Sequence, residues 1–204
     1  MLPFKNGVFD IENRLMIKGE PGMYIKTVAP TTVKTGYEDC PIFKKFIADI
    51  FEDDHTRWFF QKLLGYGISG FGREEILPVF YGKYGANGKS TMVKILKDVV
   101  GDFSYNLPSD FLIQKGNKKA DGGTDSTLMS LKNKRLVWCS ELNKSERLDV
   151  AKAKTVSGGD SISGRDVFEK HEEFEPSHLI IMLTNFLPRS PVDDDALWRR
   201  FLVI

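Results

Sequence analysis

Apolar residues recur at three different spacings along this chain, and each spacing predicts a different element. In residues 1–37, short apolar runs (Val8-Phe9, Leu15-Met16-Ile17) alternate with the turn signals Asn6-Gly7 and Glu12-Asn13, which predicts short strands and turns. Between residues 40 and 70 the period becomes helical. Ile42, Phe43, Phe46, Ile47, Ile50 and Phe51 predict one helix. Thr56 through Leu64 predicts a second, aromatic-rich helix ending near Gly65, Gly67 and Gly70, its rings packing between helices. From residue 76 the apolar runs become continuous, as in strands buried on both faces. Ile76–Tyr81, Arg135–Cys139 and Leu179–Leu183 are such strands, with helices predicted over Lys89–Val100, near Ser126–Leu131 and over 147–157, and a hairpin over 161–177.

Strands alternating with helices predict an α/β fold, a parallel central sheet flanked by helices. The expected division is residues 1–72, a small and mostly helical N-terminal region with short strands, and residues 73–204, the α/β core. The last residues, Phe201–Ile204, are an apolar strand without a cap or polar tail. That ending predicts a core that continues within a larger protein.

The first predicted strand of the core runs into Gly82-Lys-Tyr-Gly85-Ala86-Asn87-Gly88-Lys89-Ser90-Thr91 and then into a helix. Polyphosphate needs a concave run of backbone N–H groups, which glycines let approach closely. The helix N-terminus adds partial positive charge. In such a loop Lys89 reaches the β- and γ-phosphates of ATP, and the Ser90 hydroxyl ligands Mg²⁺. The usual spacing is G-x4-G-K-[ST]; here Lys83 stands where the first glycine is expected and Gly82 lies one residue earlier. A loop one residue longer, with Gly85 making part of the turn, accommodates this. A glycine-rich strand–helix turn with a chance Gly-Lys-Ser is the competing reading.

Three features further along narrow the chemistry. The strand Arg135–Cys139 leads to Ser140-Glu141, a carboxylate at a strand end, where it can polarise an attacking water or hold Mg²⁺. An ordinary surface glutamate reads the same way. The strand Leu179–Leu183 ends in Thr184-Asn185, whose amide can orient that water or touch the γ-phosphate, or can simply cap a turn. Arg199-Arg200 precede the last strand; an arginine delivered from a neighbouring subunit stabilises charge in phosphoryl transfer, and a solvated basic pair is the alternative.

In this order and spacing, these residues resemble superfamily 3 helicases, and most of all the viral, phage and plasmid primase–helicase type, an AAA+-related ring ATPase. The resemblance covers nearly the whole chain. Gly85–Thr91 looks like the Walker A motif, Ser140-Glu141 like Walker B, Lys154–Arg165 like the family's third motif, Thr184-Asn185 like the sensor motif, and Arg199-Arg200 like the arginine finger, with Arg200 preferred. Ser140 departs from the pattern where a second acidic residue often stands. The resemblance implies ATP and Mg²⁺ as cofactors and a ring, expected to be a homo-hexamer. It also implies single-stranded or forked DNA as partner, and a primase domain or protein outside this chain. It places a hairpin before the sensor strand, so the tip of the predicted hairpin, Lys170-His171, is the candidate contact to nucleic-acid backbone. Glu169, Glu172 and Glu173 surround these two, and a solvated mixed-charge turn fits as well. Lys115, Lys118 and Lys119 form a second basic cluster, read as a loop because Gly116, Gly122 and Gly123 accompany it.

Composition limits the alternatives. Hydrophobic residues make up 41% and charged residues 28%, as in ordinary globular chains. The net charge of +1 gives no global signal for nucleic acid, so binding must come from a local patch or a ring of subunits. Cys40 and Cys139 stand alone, and His55, His171 and His178 lack metal-ligand spacing, which predicts neither a disulfide framework nor a zinc site. No apolar run reaches the ~18–20 residues of a membrane span and no leader is recognisable, so the expected location is intracellular, in the cytoplasm. Two further functions remain open: an AAA+-type loader or packaging ATPase that does not unwind, and an inactive nucleotide-binding assembly module.

Overall fold

The computed structural model describes residues 1–34, 36, 39–114, 126–140, 147–166, 169–187 and 194–204. The chain opens with an antiparallel meander of β1 (Leu2–Phe4), β2 (Gly7–Asp10) and β3 (Leu15–Ile17). Two helices follow, α1 (Pro41–Ile50) and α2 (Asp54–Ser69). Asp53 caps α2, its carboxylate accepting from the Thr56 N–H at 2.7 Å.

The α/β core then alternates as expected. Its elements are β4 (Leu77–Tyr81), α3 (Lys89–Val100), β5 (Ser104–Leu107), α4 (Ser126–Met129) and β6 (Leu136–Ser140). After these come α5 (Val150–Ser157), the hairpin β7 (Ile162–Gly164) and β8 (Glu172–Phe174), β9 (Leu179–Thr184), α6 (Asp195–Trp198) and β10 (Phe201–Val203). Five strands form one sheet in the order β10-β4-β9-β6-β5, and every neighbouring pair is parallel. Because β9 lies between β4 and β6, Tyr81 at the end of β4 stands beside Thr184 at the end of β9. The loops that leave these two strands therefore share one edge of the sheet, where ligands of parallel α/β sheets bind.

The strands are apolar on both faces because both faces are covered. Val79, Val137, Ile180 and Met182 face a cluster containing Ala153, Val156 and Leu197. Phe80, Trp138, Ile181 and Leu183 face the other, with Phe60, Leu63 and Leu64 of α2 and Met92, Leu96 and Val100 of α3. Leu2 and Ala29 join this second cluster, so residues before and after position 72 share one core. Each large side chain so buried contributes roughly 1.5–3 kcal/mol.

Helix α2 ends at a left-handed Gly70, within the glycine-bearing stretch expected to end it, after running through Gly65 and Gly67. Packing overrides the poor helix propensity of glycine here. A Cβ on Gly67 would lie 2.6 Å from Cδ2 of Leu136 and 3.2 Å from Cβ of Leu179, so the bare backbone lets α2 lie close on the sheet. Gly67→Val is expected to lower stability by about 1–3 kcal/mol, read from denaturant unfolding, because α2 must move off a filled core. Strand β5 was not expected at all. Its sequence Ser-Tyr-Asn-Leu carries polar residues because it is a sheet edge, paired only with β6.

His178 enters β9 buried, its Nε2 3.1 Å from the Val156 carbonyl. Burial pushes its pKa below the ordinary 6.5, outweighing the backbone carbonyls of Val156 and Leu131. The unfolded chain thus takes up the proton first. Stability is expected to fall as pH drops below about 6.5 through the lowered native value, and His178→Gln should flatten that part of the profile. An unchanged pH profile of the melting temperature would contradict this. Among the described residues no helix is long and apolar enough to cross a membrane.

Candidate nucleotide-binding site

The glycine-rich loop runs from the end of β4 into α3, as its sequence predicts. Gly82 donates its N–H to the Thr184 carbonyl at 3.1 Å, tying the loop's start to the end of β9. A Cβ on Gly82 would lie 1.6 Å from Nδ2 of Asn87 and 2.8 Å from Nζ of Lys89, so a side chain here would displace both groups from where they stand. Gly85 lies in the bend of the loop, as expected, but the left-handed positions are Ala86 (φ 61°) and Gly88 (φ 79°), and a Cβ on Gly85 would meet nothing within 4 Å. Asn87 Nδ2 donates to the Tyr84 carbonyl at 2.8 Å and closes the loop from inside. At Gly88 the loop is also held from behind, since a Cβ there would lie 2.6 Å from Cδ1 of Ile50.

Gly85, Ala86, Asn87, Gly88, Lys89, Ser90 and Thr91 line a cavity of about 210 Å³ together with Ser140, Leu183, Thr184 and Asn185. Lys89, the first residue of α3, points across it. Its ammonium donates to Oδ1 of Asn185 at 2.8 Å and to the Gly82 carbonyl at 3.4 Å. Both partners are neutral, and among the described residues Lys89 makes no ion pair. Burial lowers its pKa, since the charged form is partly desolvated. A cation so placed, at a helix N-terminus and in a loop of backbone amides, is complementary to an anion. The set therefore fits a phosphate group, with the Ser90 hydroxyl beside it for a divalent cation.

Asn185 is held by its neighbour. The buried Thr184 hydroxyl donates to the Phe186 carbonyl at 2.6 Å and accepts from the Phe186 N–H at 3.0 Å, fixing the turn after β9. The sequence placed Asn185 and Lys89 in one site from 96 residues apart, and the structure brings them into contact. Ser140 lines the same cavity. Glu141, expected to prepare the water or hold Mg²⁺, lies outside the described residues, as does the basic cluster of Lys115, Lys118 and Lys119.

The arginine pair differs from expectation. Arg200 was the preferred finger, yet its side chain is 9% exposed and turned inward. Its guanidinium donates to the Ala196 carbonyl and to the Glu75 carboxylate. These bonds tie the start of β10 to the segment before β4, where the Leu77 N–H also donates to the Arg200 carbonyl at 2.6 Å. Arg199 is the one presented outward, 69% exposed and 3.6 Å from Glu75. Neither arginine lines the cavity around Lys89. The reason is local: α6 is a single turn capped by Asp194, which accepts from the Leu197 N–H at 2.9 Å, and the next residues alternate inward and outward.

Asp194 has a second role that sequence reasoning missed. It pairs with Lys154 of α5 at 2.7 Å, and this ammonium holds its carboxyl below the usual 3.8. Lys154 belongs to the segment read as the third motif, so that segment is linked to the arginine turn. A cue to its capping was available: an aspartate just before Asp195-Ala-Leu-Trp is a helix N-cap pattern. Glu75 had no sequence cue, being a lone carboxylate before a strand.

Lys170 and His171 are exposed next to β8, in the connection of the β7–β8 hairpin. The acidic neighbours are engaged elsewhere: Glu172 pairs with Lys132 at 2.5 Å, and Glu173 accepts from the Ser161 hydroxyl.

Known proteins are similar to this chain in sequence and in fold. The chain is 31% identical to the mimivirus protein named “Putative helicase L207/L206”, over all of this chain and 21% of that protein. It is 29% identical to the vaccinia virus protein named “Uncoating factor OPG117”, over all of this chain and 27% of that one. The chain thus spans about a fifth to a quarter of the length of these relatives. The apo structure of the NrS-1 C-terminal region has the same fold, with a TM-score of 0.64 at 23% identity over 92% of this chain and 41% of that one. The resemblance to viral helicases read from the motifs is borne out by these relatives. A model of a family of unknown function, DUF5906, matches residues 80–200, from the end of β4 to Arg200, and the chain belongs to that family.

Proposed function

We propose that this chain is the nucleotide-binding part of an ATP-driven helicase that acts on DNA in the replication of a virus or mobile element. The observation that carries this reading is Lys89, a partly buried ammonium whose partners among the described residues are neutral, at an amide-lined cavity. The viral relatives with helicase names support the second half of it.

In this account the amides of Gly85–Thr91 and the Lys89 ammonium hold the β- and γ-phosphates of ATP. The Ser90 hydroxyl holds Mg²⁺, which when bound neutralises charge on the transferring phosphoryl group. Glu141 accepts a proton from the attacking water. Asn185 keeps Lys89 in place through Oδ1 and has its Nδ2 donors left for the γ-phosphate. The arginine that completes the site comes from a neighbouring copy in a ring, a homo-hexamer. Arg199, the exposed member of the pair, has that role, and Arg200 positions it. Lys170 and His171 contact the DNA backbone without reading sequence. A primase activity belongs to a domain or protein outside this chain.

Strand displacement on a forked duplex tests the helicase step. ATP-dependent release of the displaced strand is expected. DNA-stimulated ATP hydrolysis without release would favour a second reading, an AAA+-type ATPase that does not unwind, which the uncoating-factor name of the poxvirus relatives keeps in play.

A further inference from the structure

A second cavity, of about 250 Å³, adjoins the phosphate cavity and shares Asn87, Gly88 and Lys89 with it. Its other walls are of a different kind. Ile50 and Phe51 at the end of α1, Phe60 of α2, Phe80 of β4 and Met92 of α3 line it. The rings form a ladder: Phe51 and Phe60 have centroids 5.0 Å apart, and Phe60 and Phe80 5.4 Å. Phe60 and Phe80 are buried in the core, while Phe51 and Ile50 are only partly covered, so the ladder ends at the cavity. A polar, cationic compartment thus continues into an aromatic one across the left-handed Gly88.

We infer that this second cavity receives the purine ring of the nucleotide, stacked against Phe51 and held between the end of α1 and the phosphate loop. The inference rests on the phosphate-binding reading above and adds where the base lies and what selects it. A nucleoside triphosphate has one polyanionic end and one flat, mostly apolar end, and the two joined cavities match that division. Stacking on an aromatic side chain depends on ring area rather than on base-edge hydrogen bonds. The polar side chains on the lining are those of Tyr81, Asn87 and Lys89. Asn87 and Lys89 are already bonded to the loop and to Asn185. The site therefore favours purines over pyrimidines and separates adenine from guanine weakly. It also gives α1 a direct part in nucleotide binding, although this helix lies outside the span matched by the family model.

The test compares ATP, CTP and inorganic tripolyphosphate by titration calorimetry on the whole chain and on Phe51→Ala. The parent is expected to bind ATP about tenfold or more tightly than tripolyphosphate, with CTP between them. Phe51→Ala should remove most of that difference while leaving tripolyphosphate affinity unchanged. Photolabelling of the unmodified chain with 8-azido-ATP avoids any folding defect in the variant; the label is expected on peptides carrying Ile50-Phe51 or Phe80-Tyr81. Equal affinities for ATP and tripolyphosphate, or label confined to other peptides, overturn the base site and leave the phosphate loop standing. Tripolyphosphate binding that Lys89→Ala does not weaken overturns the phosphate reading itself, and the base site with it.

Discussion

Lys89→Ala is expected to lower ATP turnover by on the order of 10²–10³-fold or more, read as phosphate release from purified chains. The size follows from what the side chain does. It supplies the one ammonium on the cavity wall, and among the described residues no other cation lines that cavity. The amides of the loop would remain and still favour an anion through the helix N-terminus. They would not neutralise charge that builds up on the phosphoryl oxygens during transfer. The fold should survive, because the partners that lose a donor, Asn185 and the Gly82 carbonyl, lie at a cavity that water can enter. A thermal melt close to that of the parent separates lost chemistry from lost structure. Equal turnover in the two proteins would end the assignment of Lys89.

The adjacent arginines are expected to fail in different ways. Arg199→Ala keeps the fold and nucleotide binding but loses hydrolysis by about 10³-fold or more, the scale on which an arginine delivered to a transferring phosphoryl group acts. Its side chain is 69% exposed, so little packing is removed. Arg200→Ala acts on stability first. It removes a nearly buried side chain and the donors to Glu75 and to the Ala196 carbonyl, at a cost of about 1–3 kcal/mol. Glu75 is half-exposed and can take up water once freed, which keeps the loss below that of a fully buried pair. Chemical denaturation and ATPase measurements on both variants distinguish the two roles. Mixing Arg199→Ala with Lys89→Ala should restore part of the activity if the arginine acts between copies. A folded, inactive Arg200→Ala beside an active Arg199→Ala would reverse the assignment.

Local signals in the sequence were enough wherever one element decides the outcome. Continuous apolar runs marked β4, β6 and β9 because both faces of the sheet are covered. Gly88-Lys89-Ser90 marked the start of α3 to the residue. The polar ends of β6 and β9 marked the cavity wall, because strands that run parallel end at the same edge. What could not be read depends on contacts between distant segments. The direction of Arg200 is set by Glu75, 125 residues away. The close approach of α2 to the sheet is set by Leu136 and Leu179, which admit Gly67. One left-handed position of the phosphate loop fell to Ala86, a choice that spacing rules do not make for a residue with a Cβ. The aromatic wall beside the loop was read only as packing between helices, and part of it does pack that way, Phe60 against Phe80. That Phe51 ends the ladder at a cavity follows from the position of α1 over Gly88.

Steady-state ATP hydrolysis across a range of protein concentrations, with and without single-stranded DNA, decides whether the loop around Lys89 hydrolyses ATP at a site completed by a second copy and driven by nucleic acid. Turnover per chain is expected to rise with protein concentration, to rise further with DNA, and to be lost in Lys89→Ala. Nucleotide binding without turnover at every concentration, with DNA present, would contradict that reading.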